Sequence, residues 1–544
     1  MGVRDDNGTV GEGLSRRGLM QAGGLSAFAL FLAACGSSGG SAPSTASGSA
    51  AAAGNPKRGG SLIWALQEDP VTLAPFGITT TSTEQVHNLI YESLVDWDKD
   101  LNIVPALATS WEVKDNKTYV FHLRKNVTFH SGKPFTADDV KYSFEMQAAP
   151  PAPGSVTSFL PKIATVDVID PYTVQFNMSQ ADGTMLGYCA WLAYSYIVPN
   201  NFYKTSNAGS TADGTGVYKL DTYVPNDHLS LSRNEKYWNP QYPYLDSLTL
   251  KVLPELQSTV AALQSQAIDG GSIDSTTSLV FQRSQNIQVQ SGASAAFREM
   301  EFTIKGDGKP WDDVRVRQAV NFAIDRDKII QNVYGGYAEY SSKIPPSYGN
   351  WPIPQATLKS TYEKYNLPQA KALMKAAGYE NGFSVTLQAI AEPADYTQVA
   401  EVIKDQLQAI NINVTIQSLD IGTFGANNTA GSFEWQSTGR GMRGDPSGYF
   451  SDFVPTGSVY KAWFEGGYTN AEMTSLINQG LAETDLTKRM AIYTQLQEIV
   501  LTQWPTMPLV AVTNFQAVNK RVQGMYVAVD DTYRGLRYVW VTSD

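Results

Sequence analysis

Histidine and cysteine often serve as nucleophiles, general bases and metal ligands, but they are few and scattered in this chain of 544 residues. The histidines are His87, His122, His130 and His228. No two of them stand three or four residues apart, as metal ligands on one helix face do, and no Cys-x-x-Cys motif occurs. The sequence therefore predicts neither a metal site nor a cofactor.

Two glycine-containing segments have the residue spacing of functional motifs but lack the flanking secondary structure that those motifs need. Gly36-Ser37-Ser38-Gly39-Gly40 has the spacing of a nucleophile elbow, yet no strand precedes it. Gly439, Gly441 and Gly444 have the spacing of a dinucleotide-binding loop. They are followed by Asp445-Pro446, which is typical of a turn where that motif needs a helix.

Paired carboxylates are the remaining candidates for catalysis. They occur at Asp138-Asp139, Asp312-Asp313 and Asp530-Asp531. The first two pairs stand at predicted helix starts, where negative charge stabilises the helix. We therefore predict no catalytic residue.

The composition is that of a large globular protein with an uncharged polar surface. Hydrophobic residues make up 42% and charged residues 17%, which excludes a disordered chain. The net charge of −11 opposes binding to nucleic acid. Aromatic residues reach 11%, a composition that suits a ligand surface of stacking and hydrogen-bonding groups.

The first 35 residues are predicted to be an export signal. Arg16-Arg17 precede an apolar stretch from Leu25 to Ala34, which is too short to span a bilayer that needs about 20 residues. The arginine pair resembles a twin-arginine signal, and Sec export stays open. Leu32-Ala33-Ala34-Cys35 resembles a lipobox, so we expect Cys35 to be lipidated. Residues 36–56 are predicted to be a flexible tether.

The hydrophobic pattern of the second half predicts α/β structure. Phe383, Val385 and Leu387 alternate as in a strand, a helix is predicted from about Asp395, and a second strand contains Ile412. This βαβ unit predicts two parallel, neighbouring strands. Ligands in such sheets collect at the carboxyl ends of the strands, which here means residues 389–396.

Several motifs resemble family 5 of the bacterial extracellular solute-binding proteins, the oligopeptide- and dipeptide-binding group of ABC importers. They are Ile90-Tyr91-Glu92-Ser93-Leu94, Val104-Pro105-Ala106-Leu107-Ala108-Thr109-Ser110-Trp111, Phe135-Thr136-Ala137-Asp138-Asp139-Val140, Gly214-Thr215-Gly216-Val217-Tyr218 and Asp313-Val314-Arg315-Val316-Arg317-Gln318-Ala319. The resemblance runs in family order from about residue 57 to 540.

The resemblance implies an α/β, two-lobed periplasmic-binding-protein-like fold (type II, cluster C) with an extra α+β subdomain and a hinge between the lobes. Lobe 1 would comprise residues 57–96, 216–297 and 506–544. The extra subdomain would comprise residues 97–215, and lobe 2 residues 298–505.

The resemblance also implies a function without covalent chemistry. The protein would be a monomeric, non-enzymatic binding component that sits outside the membrane on a lipid anchor. Its partners would be a small-molecule ligand and an ABC permease and ATPase complex, and no nucleic acid. A secreted hydrolase and a sensory receptor are the alternatives from other classes.

Ligand contacts in the family fall in three places that can be matched here. The corresponding residues are Ile78, Thr79, Thr80, Thr81, Glu392, Tyr396, Trp435, Gly439, Arg440, Met442, Arg443, Asp445 and Tyr449. Arg440 and Arg443 are candidates for an anion or a ligand carbonyl, or are solvated loop charges. Asp445 is predicted to be a turn cap or a ligand contact.

The identity of the ligand depends on two of these positions. In relatives that clamp dipeptides, an Arg binds the peptide carboxylate and an Asp its ammonium, whereas this chain has Glu392 and Met442 there. A buried charge without a partner is costly, so a dipeptide held end to end is disfavoured. We expect an oligopeptide, with an oligosaccharide as the alternative that the aromatics favour. Those aromatics are Trp191, Tyr194, Tyr196, Trp435, Tyr449, Phe450, Tyr460 and Trp463.

Overall fold

Alternating apolar residues build one large mixed sheet in the computed structural model, which describes residues 55–75, 80–148, 162–191, 195–205, 209–455 and 459–542. The strands are β1 (Ser61–Leu66), β2 (Val95–Trp97), β3 (Ile103–Pro105), β4 (Ala108–Lys114), β5 (Thr118–Leu123), β6 (Ile163–Asp170), β7 (Thr173–Met178), β8 (Tyr218–Val224), β9 (His228–Arg233), β10 (Ser247–Val252), β11 (Gly270–Ile273), β12 (Ile287–Phe302), β13 (Ala338–Tyr340), β14 (Phe383–Ile390), β15 (Ile412–Leu419), β16 (Trp435–Arg440), β17 (Thr506–Asn519), β18 (Val522–Gln523) and β19 (Trp540–Val541).

Helices connect many of these strands. They are α1 (Thr81–Ile90), α2 (Ala137–Ala148), α3 (Met185–Ala190), α4 (Phe202–Thr205), α5 (Leu256–Gln264), α6 (Ser275–Phe281), α7 (Val314–Ala323), α8 (Arg326–Tyr334), α9 (Gln355–Thr357), α10 (Leu367–Ala376), α11 (Asp395–Leu407), α12 (Ile421–Ala430), α13 (Tyr460–Phe464), α14 (Ala471–Ala482) and α15 (Leu486–Gln503). Side-chain caps fix several starts, such as Asp313 at α7 and Asn470 at α14.

The main sheet runs in the order β15-β14-β16-β12-β17-β11-β1-β10-β9-β8, and β13 also pairs with β17. A separate four-stranded sheet has the order β4-β5-β7-β6. The predicted βαβ unit is confirmed, because β14 and β15 pair in parallel from Phe383 with Ile412 to Ile390 with Leu419, and α11 connects them.

Separate apolar cores define the parts of this α/β, two-lobed fold. The core of lobe 2 is built from β14 to β16 with α7, α8, α10, α11, α14 and α15. Lobe 1 has its cores around β1, β8 to β11 and α1. The extra subdomain packs β4, β5 and β7 against α2 and α3.

The two lobes share β12 and β17, which run side by side through both. Their antiparallel pairing is regular from Ile287 to Ala293 and resumes at Phe297, so residues 294–296 oppose Val512 alone. Phe297 of β12 and Met507, Leu509, Val510 and Ala511 of β17 pack into the core of lobe 2. Ile287 of β12 and Phe515 and Ala517 of β17 pack into a core of lobe 1. Each of the two strands therefore changes core along its length.

Several predicted features lie outside the described residues. They are the export signal with Cys35, the tether as far as residue 54, the candidate ligand residues Ile78 and Thr79, and the aromatic residue Tyr194. Among the helices that are described, none is long and apolar enough to span a membrane.

Candidate functional site

The irregular crossing of β12 and β17 brings groups from both lobes together. The Ala295 amide donates a hydrogen bond to the carbonyl oxygen of Val529 in lobe 1 at 2.9 Å. The Ala295 carbonyl oxygen accepts one from the Tyr449 hydroxyl in lobe 2 at 3.1 Å. Both hydrogen-bonding groups of one bulge residue are thus fixed, one by the segment after β18 and the other by the segment after β16.

Two buried tyrosines connect this bulge to Arg443. The Tyr449 and Tyr348 hydroxyls lie 3.3 Å apart, and the Arg443 amide donates to the Tyr348 hydroxyl at 3.2 Å. Burial raises the pKa of both tyrosines, so they stay protonated at neutral pH. Arg443 therefore has its backbone fixed at the edge of the crossing.

Lobe 1 presents carboxyl groups towards the same region. Burial raises the pKa of Glu84 to about 8, Asp530 adds to this, and the guanidiniums of Arg534 and Arg443 oppose it. Arg443 of lobe 2 therefore acts on the Glu84 carboxyl group of lobe 1. Asp530 accepts from the Arg534 Nε at 2.9 Å. Burial and then Asp530 raise the pKa of Asp531 to about 7.

Lobe 2 presents a guanidinium, that of Arg298 on β12. Its Nε and Nη2 donate to the Asp395 Oδ2 at 2.8 and 2.5 Å, and the Tyr334 hydroxyl donates to the same oxygen at 2.8 Å. The ring of Tyr396 lies 4.2 Å from the guanidinium carbon. Burial alone would lower the pKa of Arg298, but Tyr396, Tyr334 and Asp395 together raise it. Arg298 is therefore a permanent cation.

The third nitrogen of this guanidinium faces Gly439 on β16. A Cβ atom at Gly439 would lie 2.9 Å from Arg298 Nη1 and 3.0 Å from the Tyr396 hydroxyl. A side chain at Gly439 would thus collide with both groups. In the part of the chain that the structure describes, Nη1 has no hydrogen-bond acceptor. It is a candidate donor for a carboxylate or carbonyl of a ligand.

Arg440 follows Gly439 in β16, and its side chain lies on the opposite face of the sheet. We expected Arg440 as a candidate ligand contact, but its guanidinium is taken up by carboxylates of lobe 2. Its Nε donates to the Glu299 Oε1 at 2.6 Å, and its Nη2 contacts Glu301 and lies 2.7 Å from Asp452. Lys343 completes the network with a 2.7 Å bond to Glu299, and both of these side chains are fully buried. Alternation along the strand is the reason, since Gly439 and Arg440 cannot share a face.

Other predicted residues are also held by partners within lobe 2. Asp445 forms a two-pronged ion pair with Arg489 at 2.8 and 2.9 Å and caps the Ser447 amide, so its turn-cap role is confirmed. Trp435 is fully buried among Phe302, Trp311 and Phe383. The prediction that Trp435 contacts the ligand is therefore not supported, because its side chain packs inside the core of lobe 2.

The remaining predicted residues lie nearer the surface. Thr80 caps α1 through Thr83, while Thr81 and Glu392 are exposed. Tyr396 stacks on Arg298, and Met442 packs against the cores of both lobe 2 and the extra subdomain. Of the predicted aromatics, Tyr196, Tyr449, Phe450 and Trp463 belong to buried cores, Tyr460 is half-buried, and Trp191 lines the contact described next.

The extra subdomain touches lobe 2 beside this site. The Gly183 amide donates to the Leu481 carbonyl oxygen at 2.6 Å, and the Thr484 hydroxyl donates to the Asn116 side chain at 2.6 Å. A cavity of about 110 Å³ lies at this contact and is lined by groups from both sides, including Trp191 and Arg443. The lobes are therefore closed at this edge.

Sequence reasoning missed the principal charged groups of the site. No sequence pattern marks Glu84 or Arg298, and Asp530-Asp531 stand out only as a carboxylate pair. No local signal marks Arg298, because its partner Asp395 lies 97 residues away. Among the described residues, no three acidic, histidine or cysteine side chains gather as metal ligands would.

Comparison with known proteins gives consistent matches. A sequence profile described as "Bacterial extracellular solute-binding proteins, family 5 Middle" matches residues 102–461, more than half of the chain. Glutathione-binding protein GsiB of Shigella dysenteriae serotype 1 is 26% identical over 487 residues, which cover 86% of this chain and 92% of that protein.

Two solved structures share the fold. The binding protein AgaA from A. tumefaciens R10, in complex with agropinic acid, has a TM-score of 0.74 and 25% identity, and the match covers 89% of this chain and 99% of that one. DppA from Helicobacter pylori, in complex with the peptide STSA, has a TM-score of 0.72 and 24% identity, with 90% and 99% covered.

Proposed function

Because the chain belongs to family 5 of the bacterial extracellular solute-binding proteins, we propose that it is a lipid-anchored component of an ABC importer that captures oligopeptides between its lobes. The members of this family are binding proteins of transporters and not enzymes. Capture would shift the two lobes towards a closed form, and that form would be the one presented to the permease.

The observation that carries the peptide assignment is the set of hydrogen-bonding groups near the β12–β17 crossing. Lobe 1 contributes the carboxyl groups of Glu84 and Asp531, and burial raises their pKa values to about 8 and about 7. Lobe 2 contributes Arg298, whose Nη1 faces Gly439 and has no acceptor among the described residues. The N–H groups of a peptide would donate to the carboxyl groups, and a peptide carbonyl or carboxylate would accept from Nη1.

The positions of the aromatic residues also weigh against an oligosaccharide. Trp435 and Trp463 are fully buried in the core of lobe 2, so their faces are not open to a sugar ring. Glu392, which stands where relatives that clamp dipeptides have an Arg, is exposed. This position therefore does not close off the end of a dipeptide, which favours a longer peptide. The peptide complex of DppA from Helicobacter pylori supports the same choice.

Isothermal titration calorimetry tests the ligand class. The full chain would be titrated with a random tri- to pentapeptide library and, separately, with cello-, xylo- and manno-oligosaccharides. We expect heat from the peptides, with a dissociation constant near the micromolar range, about −8 kcal/mol. Heat from the sugars alone would overturn the peptide assignment.

Membrane fractionation tests the lipid anchor. Cys35→Ala removes the sulfur that would be lipidated, so we expect the protein to move from the membrane fraction to the soluble fraction. Cys189→Ala is the matched control, because Cys189 is a fully buried thiol. An unchanged distribution of Cys35→Ala would exclude anchoring through this residue.

A further inference from the structure

A leucine in an unfavourable backbone conformation joins the extra subdomain to lobe 2. Leu101 lies at the tip of the hairpin β2–β3 with a φ of 61°. This left-handed conformation is uncommon for residues other than glycine, asparagine and aspartate, because the Cβ atom is crowded by the backbone. The Leu101 side chain packs against the core of lobe 2 as well as that of the extra subdomain. Strain of this kind persists where the side chain that it presents has a role.

The turn around Leu101 is rigid. The Asp98 carboxylate accepts from the amides of Asp100 and Asn102, both at 2.9 Å. The Leu101 amide donates to the Asp98 carbonyl oxygen at 3.1 Å. Leu101 cannot leave its left-handed conformation without disturbing these bonds, so the hairpin presents the side chain at a fixed position.

A second contact with lobe 2 lies at the tip of the hairpin β4–β5. The Thr484 hydroxyl donates to the Asn116 Oδ1 at 2.6 Å, and the Gly183 amide donates to the Leu481 carbonyl oxygen at 2.6 Å. The Asp182 amide donates to the Asn116 carbonyl oxygen at 3.1 Å. This last bond lies within the extra subdomain and joins its two contact points into one unit.

The lobe 2 side of this contact is fixed as well. It is the turn between α14 and α15, where the Glu483 Oε1 accepts from the amides of the next two residues at 2.9 and 2.8 Å. The Arg489 Nε donates to the Gly480 carbonyl oxygen at 2.9 Å, and its guanidinium pairs with Asp445 at 2.8 Å. The turn is thereby tied to the loop after β16, which borders the β12–β17 crossing.

Glycines allow the two backbones to approach closely at this interface. A Cβ atom at Gly183 would lie 1.9 Å from the Glu483 carbonyl oxygen, and one at Gly187 would lie 2.5 Å from the Gly444 carbonyl oxygen. A Cβ atom at Gly444 would lie 2.8 Å from that of Trp191. Any other residue at these positions would push the extra subdomain and lobe 2 apart. The two surfaces therefore fit each other at backbone level.

We propose that the extra subdomain is a latch, in which the contacts of Leu101, Asn116 and Gly183 with lobe 2 hold the lobes closed and slow the release of the ligand. None of these three residues is among the candidate ligand contacts, so the latch favours closure whether or not a ligand is bound. Both sides of the contact are rigid turns, so it can break and form again without rearrangement of either side. The proposal rests on the proposed function only in taking closure as the step that captures the ligand.

Double electron–electron resonance of the ligand-free full chain tests the latch. Nitroxide labels would be attached at Lys133→Cys in the extra subdomain and Lys371→Cys in lobe 2, two exposed positions, in a Cys35→Ala background. Cys189 is fully buried and stays unlabelled. Leu101→Gly removes the side chain and keeps the backbone conformation. We expect it to raise the ratio of open to closed molecules about tenfold, the effect of losing a partly buried leucine side chain.

Asn226→Gly is the matched control for Leu101→Gly. Asn226 lies at the tip of the hairpin β8–β9 with a φ of 60°, and it is exposed. The control should leave the distance distribution unchanged. An unchanged distribution in Leu101→Gly, or an equal change in both variants, would overturn the role of Leu101 and with it the latch.

A second variant covers the case in which Leu101→Gly does not fold. Thr484→Val keeps the shape of the side chain and removes the hydrogen bond to Asn116, so we expect the ratio of open to closed molecules to rise about threefold. Thr502→Val is its control, because the Thr502 hydroxyl donates only to carbonyl oxygens of its own helix. No rise in Thr484→Val, or the same rise in Thr502→Val, would contradict the latch.

The outcomes separate the latch from the proposed function, because the distance measurement contains no ligand. Unchanged distances in both latch variants would overturn the latch and leave peptide capture standing. Absence of heat in the calorimetric titrations with peptides would overturn peptide capture, and a rise in the open population of both latch variants would still support the latch.

Discussion

Replacing Arg440 by Met would distinguish a structural role from a ligand contact. In the structure its guanidinium neutralises Glu299, Glu301 and Asp452, with contacts of 2.6 Å to Glu299 and 2.7 Å to Asp452. Without it, Glu299 keeps the 2.7 Å bond to Lys343, but Glu301 and Asp452 lose their cation. The variant therefore leaves two nearly buried carboxylates in lobe 2 uncompensated.

The expected magnitude follows from breaking a buried ion pair on one side, which costs about 3–5 kcal/mol. The pKa of Glu301 is already raised to about 7 by burial, with Arg440 opposing the rise and Glu299 and Asp452 adding to it. Protonation therefore removes the penalty at low pH. We expect Arg440→Met to lower the free energy of unfolding by about 3 kcal/mol at pH 8 and by less at pH 6.

Urea unfolding followed by tryptophan fluorescence measures this change, because Trp463 lies 5.7 Å from the Arg440 guanidinium. Arg315→Met is the matched control, since Arg315 is exposed and pairs with Asp313 at the surface. It should change the free energy of unfolding by about 0.5 kcal/mol or less. An Arg440→Met protein of wild-type stability that no longer binds the peptide library would refute this reasoning and restore Arg440 as a ligand contact.

Three further predictions concern pH, closure and the carboxylate contact. Chemical denaturation should show the free energy of unfolding falling by at least about 2 kcal/mol between pH 6.5 and 8, because the folded chain holds protons on Glu84, Asp531, Glu301 and Glu363 that the unfolded chain has released near pH 4. A rise in stability over this range would contradict it. Gly183→Ala places a Cβ atom 1.9 Å from the Glu483 carbonyl oxygen, so it should oppose the contact between the extra subdomain and lobe 2. We expect calorimetry to show about tenfold weaker peptide binding, with an unchanged unfolding midpoint. Equal affinity would show that this contact does not form with ligand bound. Arg298→Met should weaken binding of peptides with a free carboxylate about tenfold but leave C-terminally amidated peptides unaffected, and an equal loss for both would exclude a carboxylate contact.

The elements of lobe 2 could be predicted from the sequence because their signals are local. The alternation from Phe383 and the start at Asp395 gave the βαβ unit that the structure shows. The end of α8 is local in the same way, because Gly335 follows Tyr334 with a φ of 60°, which glycine adopts without strain. Caps, alternation and helical periodicity each lie within a few residues, so no tertiary information is needed to read them.

The orientation of the site residues could not be predicted from the same signals. Residues 435–438 of β16 are buried on both faces, so the strand shows no alternation that would separate Gly439 from Arg440. The pairing of Arg298 with Gly439 and of Phe297 with Arg440 decides which face each takes. That register is a tertiary property, as is the contact between Arg298 and Asp395.

The point at which β12 and β17 change core could not be predicted for a related reason. Both strands pass through the crossing and contact a different core on each side of it. The irregularity at residues 294–296 carries no Gly or Pro that would mark it. Only the pairing with Val512 reveals it.

The central claim is that this protein binds a peptide between its lobes and releases it chemically unchanged. The most direct measurement is native mass spectrometry of the full chain after incubation with the free peptide library, followed by denaturing release and mass analysis of what was bound. The account predicts a one-to-one complex whose released peptides have masses present in the library. Released species whose masses are absent from the library, or no peptide adduct at all, would contradict it.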